Sequence, residues 1–264
     1  MAESLIDIEG LSKSFAAPGG QSHTALEHID LAVNEGEFVS ILGPSGCGKS
    51  TLLYMVGGFI APSEGRIRVA GATVDRPGPD RGPVFQEFAL FPWKTVLQNV
   101  MYGLRVQNVP KAQARERALA LLDMVNLGPY ANFFPKQLSG GMRQRVAIAR
   151  TLAYEPRILL MDEPFGALDA HTRTNLQNEL LGIWERDRKT VLFVTHGVDE
   201  AVFLSDRIVV MSASPGRVDE VVVVDLPRPR VRAQLLVDRR YQELVLHLEA
   251  RLEIMQPSRA GLVS

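Results

Sequence analysis

Apolar and polar positions alternate near the start of the chain, then give way to short apolar runs separated by stretches of helical spacing. Residues 5–8 alternate, and residues 26–33 do so less strictly, so the pattern predicts two strands of a partly exposed sheet. The next run, Phe38-Val39-Ser40-Ile41-Leu42, is almost continuously apolar and ends in glycine-rich residues, as a strand buried on both faces does. Further short runs at 84–85, 158–161, 191–194 and 208–211 alternate with helix-like stretches. This alternation predicts an α/β core built on a mostly parallel sheet.

Between 86 and 150 the strand pattern lapses. Ala114, Ala118, Leu121, Leu122 and Val125 fall on one stripe of a helix over 111–125, and a second helical pattern covers 146–152. The expectation is a helical subdomain, about 87–150, inserted in the α/β core. Beyond Pro227-Arg228-Pro229-Arg230, Leu244, Leu248 and Leu252 share helical spacing within 239–255, which predicts a helical extension over 227–264. Each chemical motif occurs once, so the chain reads as one core and not a tandem pair.

Composition narrows the function. Across 264 residues, 29 Lys and Arg stand against 30 Asp and Glu, giving a net charge of −1. That balance argues against a broadly basic nucleic-acid binder, and no nucleic-acid partner is expected. With 46% hydrophobic and 22% charged residues, wholesale disorder is excluded. No apolar run approaches the roughly 18 residues of a membrane span. The start Met1-Ala2-Glu3-Ser4 has no basic segment followed by a long apolar one, and the single Cys47 cannot close an intrachain disulfide. Cytosolic residence is the expectation.

Gly43-Pro44-Ser45-Gly46-Cys47-Gly48-Lys49-Ser50 fits the pattern G-x-x-x-x-G-K-[ST] and lies between the buried strand and a helix start. Its glycines let successive N–H groups turn inward towards phosphate oxygens, while the following helix adds the positive end of its dipole. Lys49 would reach the β- and γ-phosphates, Ser50 would take a position on Mg²⁺, and Thr51 would add a phosphate hydrogen bond. Cys47 occupies a variable position where the turn needs only a small residue. At 158–164 an apolar strand delivers Asp162 and Glu163, followed by Pro164, to its carboxyl end, where open α/β sheets bind ligands. Asp162 would hold Mg²⁺ and Glu163 would polarise the attacking water. Alone, the strand end could be a simple turn; beside the cradle it reads as the second half of a nucleoside-triphosphate site.

A third motif, Leu138-Ser139-Gly140-Gly141-Met142-Arg143-Gln144-Arg145, precedes the helical pattern at 146–152. Ser139 and the N–H groups of Gly140 and Gly141 at a helix start can donate to an anion, although alone the Ser-Gly-Gly sequence could equally be a helix cap with no ligand. With these three motifs the chain resembles the ATP-binding-cassette ATPases over about 5–226. The resemblance implies a P-loop core, an N-terminal antiparallel β subdomain and an inserted helical subdomain, with ATP and Mg²⁺ as cofactors. It also implies a head-to-tail pair of cassettes, in which each ATP lies between the cradle of one copy and the Ser139 loop of the other.

Further positions take their roles from the same resemblance. Phe15 is implied to stack on adenine, with a core aromatic as the alternative. Gln86 is implied to sense Mg²⁺ and water, and His196 to contact the γ-phosphate, although Gly197 replaces an Asp often found there. Ala167-Leu168-Asp169 matches a turn joining the two active sites, and Asp169 also suits a helix N-cap. His23, His28, His171 and His247 read as ordinary polar residues. The implied partners are an integral membrane permease, bound on the cytoplasmic face of the inner membrane, and indirectly an extracytoplasmic solute-binding protein. Phe88-Ala89-Leu90-Phe91-Pro92-Trp93 would line the permease groove, unless Phe91 and Trp93 pack inside the helical lobe. Pro79-Asp80-Arg81-Gly82, Phe91-Pro92-Trp93 and Ser214-Pro215-Gly216-Arg217-Val218 resemble the nitrate, sulfonate and taurine importer subgroup.

Overall fold

The computed structural model describes residues 4–16 and 22–255, and their contacts divide the chain into two units. One runs to Pro77 and resumes at Thr190; the other is Gly78–Lys189. The first opens with β1 (Ser4–Ala16), β2 (Ser22–Asn34), β3 (Phe38–Leu42), α1 (Lys49–Val56), β4 (Glu64–Val69) and β5 (Ala72–Thr73). An antiparallel sheet has the order β2-β1-β4-β5. Its first two strands extend well beyond the alternating segments because the β1–β2 register shifts repeatedly, including between Ile8 and Leu11. Each such bulge rephases which side chains face inward, so strict alternation survives only in short stretches. The apolar pattern gave no sign of β4, whose buried residues are only Ile67 and Val69. Arg66 and Arg68 on that strand both pair with Glu9 of β1.

The second unit contains β6 (Arg81–Val84), α2 (Val96–Val106), α3 (Lys111–Met124), α4 (Gly140–Ala153), β7 (Ile158–Asp162) and α5 (Ala170–Asp187). Strands β6 and β7 are parallel. On α3, the expected stripe is observed at Ala114, Ala118 and Leu122, all fully buried, with Leu121 half-buried and Val125 buried just past the helix end. The helix α2 was not foreseen. Thr95 and Gln98 form a reciprocal capping box at its start, and Val96, Val100 and Leu104 are buried at four-residue spacing.

The first unit resumes with β8 (Thr190–Thr195), α6 (Val198–Leu204), β9 (Arg207–Met211), β10 (Val218–Val223), α7 (Arg232–Leu235) and α8 (Arg239–Met255). Here β3 lies between β8 and β9 and is parallel to both, while β10 pairs antiparallel with β9. All five residues of β3 are buried, which explains its unbroken apolar run. The helix expected at 239–255 coincides with α8, whose Leu248 and Tyr241 are buried. Among the described residues, no helix is long and apolar enough to cross a membrane.

The Pro-Arg-Pro-Arg segment ties the extension to α6. Arg230 is buried, and its Nη1 donates to the carbonyls of Val202, Phe203 and Ser205 at 3.0, 3.0 and 2.8 Å. Those carbonyls end a helix and carry the negative end of its dipole, so a guanidinium suits them. Arg228 donates to the Leu204 carbonyl and pairs with Asp206 at 2.8 Å. At the opposite end of α6, the Tyr241 hydroxyl donates to Asp199 at 3.1 Å, and burial, reinforced by that carboxylate, pushes the phenol up to about 12. Arg230→Ala should therefore lower stability by about 2–4 kcal/mol, the scale of losing charge-assisted bonds to buried carbonyls. An unchanged urea midpoint at the wild-type m-value would contradict this role.

Candidate active site

The cradle belongs to the first unit. β3 ends at Leu42, the loop 43–48 follows, and α1 starts at Lys49. Gly48 caps that helix with φ of 92°, a left-handed conformation that favours glycine. It also has no room for a side chain, since a Cβ there would stand 2.5 Å from Leu26 Cδ2. Lys49 is only 5% exposed, and its Nζ donates to the carbonyls of Gly43 and Pro44 at 2.8 and 2.9 Å. The ammonium is thus buried beneath the loop on neutral oxygens, an arrangement suited to an incoming polyanion. The first bond of the helix runs from Leu52 N–H to Gly48, which leaves the amides of Lys49, Ser50 and Thr51 at the positive end of the dipole. Ser45 and Gly46 form the exposed crest of the loop and Pro44 its half-buried shoulder.

Cys47 is fully buried. Burial raises its thiol pKa, and the nearby Lys49 ammonium opposes that rise only in part. The residue is therefore a neutral packing group, in keeping with a turn that needs something small. His196 is exposed immediately after β8. Its neighbour Thr195 accepts the Gly197 N–H at 2.9 Å and bonds to the Glu200 carboxylate, which fixes the turn into α6. Phe15 lies near the end of β1 with 40% of its surface exposed and the Lys13 ammonium 5.0 Å from its ring centroid. It is not a core aromatic.

The second unit carries the acidic pair and the Ser139 loop. Asp162 ends β7 and is 3% exposed; Glu163 follows, half-buried, with φ of 41°. A non-glycine residue in that region is uncommon and concentrates at functional sites. Among the described residues, no cluster of three or more His, Cys, Asp or Glu could hold a metal. Mg²⁺ does not require one, because it keeps several waters and is bound through one or two carboxylates plus substrate phosphates. In the second unit the buried Asp162 carboxylate is an oxygen ligand of that type; in the first, the Ser50 hydroxyl is a further oxygen.

Ser139 is the exposed N-cap of α4, its Oγ accepting the Met142 N–H at 3.3 Å. Gly140 is half-buried, and at Gly141 a Cβ would come within 2.5 Å of Thr172 Cγ2, so this glycine lets α4 approach α5 closely. Asp169 caps α5, accepting the Thr172 N–H at 3.0 Å, and its hydrogen bonds to Thr172 lower its pKa. Gln86 sits exposed in a bend after β6. The following loop is held by two residues that the motif reading passed over. Arg150 donates to the Ala89 carbonyl at 2.7 Å, and buried Asn99 accepts from Phe91 N–H at 2.8 Å while donating to the carbonyls of Phe91, Lys94 and Thr95. A polar Asn beside Val96 and Val100 on the inner face of α2 was the available signal. The loop aromatics divide: Phe91 packs on Tyr102 at 4.6 Å between centroids, whereas Trp93 is 71% exposed.

A buried strand, a glycine loop with an anchored lysine and a helix beginning at that lysine are the arrangement of P-loop nucleotide-binding proteins. The ABC transporter family model matches residues 26–166. An uncharacterized ABC transporter ATP-binding protein, MJ0412, of Methanocaldococcus jannaschii is 54% identical over 230 residues, 87% of this chain and 86% of that protein. The bicarbonate transport ATP-binding protein CmpD of Synechocystis is 48% identical over 242 residues, 90% of this chain and 86% of that protein. Among solved structures, the dimeric post-hydrolysis ATP-binding cassette MJ0796 bound to ADP and Pi superposes with a TM-score of 0.73 at 36% identity, covering 84% of this chain and 100% of that one. The chain belongs to the ABC transporter family and is an ATPase coupled to transport.

Burial of Cys47 has a direct chemical consequence. A water-soluble disulfide reagent at pH 8 should label the native protein at least ~100-fold more slowly than the urea-unfolded chain, because the thiol must both be uncovered and ionise. The native rate should go on rising with pH past the ordinary cysteine range, where a free thiol has levelled off, since the folded pKa is raised. Rapid stoichiometric labelling of folded protein at pH 8 would show the thiol to be accessible.

Proposed function

We propose that this chain is the peripheral ATPase subunit of an importer for a small anion, with nitrate, sulfonates, taurine and bicarbonate as candidate cargo. The observation that carries the ATPase site is Lys49, buried beneath a glycine loop and anchored by two of its carbonyls. The subgroup motifs at 79–82, 91–93 and 214–218, together with 48% identity to a bicarbonate transport protein, support the anion class.

In this reading Gly43, Pro44, Ser45, Gly46, Cys47 and Gly48 wrap the β- and γ-phosphates, Lys49 neutralises them, and Thr51 adds a hydroxyl. Ser50, Asp162 and Gln86 would hold Mg²⁺, whose charge would offset that of the phosphate oxygens. Glu163 accepts a hydrogen bond from the attacking water, orienting and polarising it, while His196 donates to the γ-phosphate and Phe15 offers a ring face to adenine. Ser139, Gly140 and Gly141 supply donors to the nucleotide of a second copy packed head to tail. Closure of that pair on ATP and its reopening after hydrolysis drive a membrane permease at the cytoplasmic face, and a solute-binding protein delivers cargo from outside. Exposed Trp93 is the aromatic anchor offered to the permease.

Glu163→Gln should retain ATP binding and lower turnover at least ~10²-fold, the scale of a lost general base; near-normal hydrolysis would remove Glu163 from that role. The shared site has its own test. Lys49→Ala and Ser139→Arg chains, each inactive alone, should regain part of the wild-type hydrolysis when mixed, because some mixed pairs contain one intact interface. No recovery after verified exchange of subunits would argue against the head-to-tail pair.

A further inference from the structure

The segment Ser214-Pro215-Gly216-Arg217 is far from the glycine loop in sequence, yet the fold sets it against that loop's outer side. Gly216 forms an isolated parallel bridge with Leu26 of β2. Its N–H donates to the Ala25 carbonyl at 3.0 Å and its carbonyl accepts the Glu27 N–H at 3.0 Å. Arg217 extends the attachment through an ion pair with Glu27 at 2.6 Å. The same short piece of β2 touches the loop, since a Cβ at Gly48 would meet Leu26 Cδ2 at 2.5 Å and the Ala25 carbonyl at 3.1 Å.

At Gly216 the approach is closer still. A Cβ built there would stand 2.0 Å from the Cys47 carbonyl oxygen and 3.1 Å from its carbon. Any side chain must push the Cys47–Gly48 peptide away. That peptide is a trans plane, so its carbonyl and the Gly48 N–H point in opposite directions. With the carbonyl turned to Gly216, the Gly48 N–H is turned to the other side.

We propose that Gly216 is a positioning residue for nucleotide binding: its bare Cα accommodates the Cys47 carbonyl and thereby aims the Gly48 N–H at phosphate. The proposal rests on the reading of 43–51 as the phosphate cradle. Gly216 touches no nucleotide itself; it acts through one peptide plane. The paired β2 strand and the Arg217–Glu27 ion pair keep it from retreating. A substituent at 216 should therefore weaken phosphate recognition before it affects the chemistry carried by Glu163.

The test compares ATP affinity and steady-state hydrolysis for Gly216→Ala, Lys49→Ala and the full wild-type chain. Gly182→Ala serves as a control, because nothing lies within 4 Å of a Cβ at that helical position. Gly216→Ala should raise KM and the dissociation constant for ATP about tenfold, one misplaced charge-assisted hydrogen bond, while kcat at saturation stays within about threefold of wild type. Gly182→Ala should match wild type. Equal loss in kcat with unchanged KM, or wild-type behaviour throughout, would overturn the brace while an impaired Lys49→Ala left the cradle standing. Wild-type ATP affinity and hydrolysis in Lys49→Ala would instead overturn the cradle reading, and the brace with it. Should Gly216→Ala fail to fold, Arg217→Ala carries the test. It should raise KM by about two- to fivefold, the span of an exposed ion pair, with recovery when Glu27→Arg is combined with Arg217→Glu. No change in KM, or no recovery in the exchanged pair, would count against the proposal.

Discussion

An amide that is to face an anion must turn its neighbouring carbonyl somewhere else, and that requirement governs the first unit. In the loop 43–48 the carbonyls of Gly43 and Pro44 bond the Lys49 ammonium, and the Cys47 carbonyl lies against Gly216. Each oxygen so occupied fixes a peptide plane. The strand before the loop supplies the rigidity, because β3 is buried throughout and lies between two parallel neighbours. A loop on a less constrained strand would hold the same glycines without holding their orientation.

The C-terminal extension obeys a similar logic at one remove. α6 begins two residues after His196, and its last carbonyls are satisfied by Arg230 while Tyr241 bonds Asp199 in its first turn. The short helix that follows the exposed histidine is therefore gripped at both ends by residues beyond 226. A seven-residue helix has too few internal bonds to be stable alone, so tertiary contacts of this kind decide whether it forms.

Legibility followed the physics of each feature. The buried strands were readable because burial on both faces demands continuous apolar sequence, and the glycine loop because the left-handed turn at Gly48 dictates its residue. The helix over 239–255 was readable from a leucine stripe whose central member, Leu248, is fully buried. β4 was not, since its inward residues alternate with Arg66 and Arg68, which are chosen for Glu9 on a neighbouring strand. Nor was the joint role of Arg228 and Arg230, because the carbonyls they bond are 24 to 28 residues away. The Phe91 and Trp93 rings were ambiguous for the same reason: only the position of Tyr102 assigns one to packing and leaves the other exposed. Local geometry leaves a mark in local sequence, whereas a partner brought up by the fold does not.

The two helix caps of the second unit show how side-chain chemistry separates a structural end from a receptive one. Ser139 caps α4 and Asp169 caps α5 by the same bond, an oxygen accepting the N–H three residues on. As caps, serine and aspartate are nearly equivalent. They differ towards anything that approaches from outside. The serine oxygen accepts from Met142 with a lone pair and keeps its own proton to donate, and it adds no charge to the positive end of a 14-residue helix. The Asp169 carboxylate already cancels that end of α5, its ionised form favoured by the bonds from Thr172, so an anion would meet repulsion there. Of these two helix starts, α4 is the one whose cap adds no negative charge. Behind Ser139, Gly141 is set by packing instead, since a Cβ there would meet Thr172 of α5 at 2.5 Å.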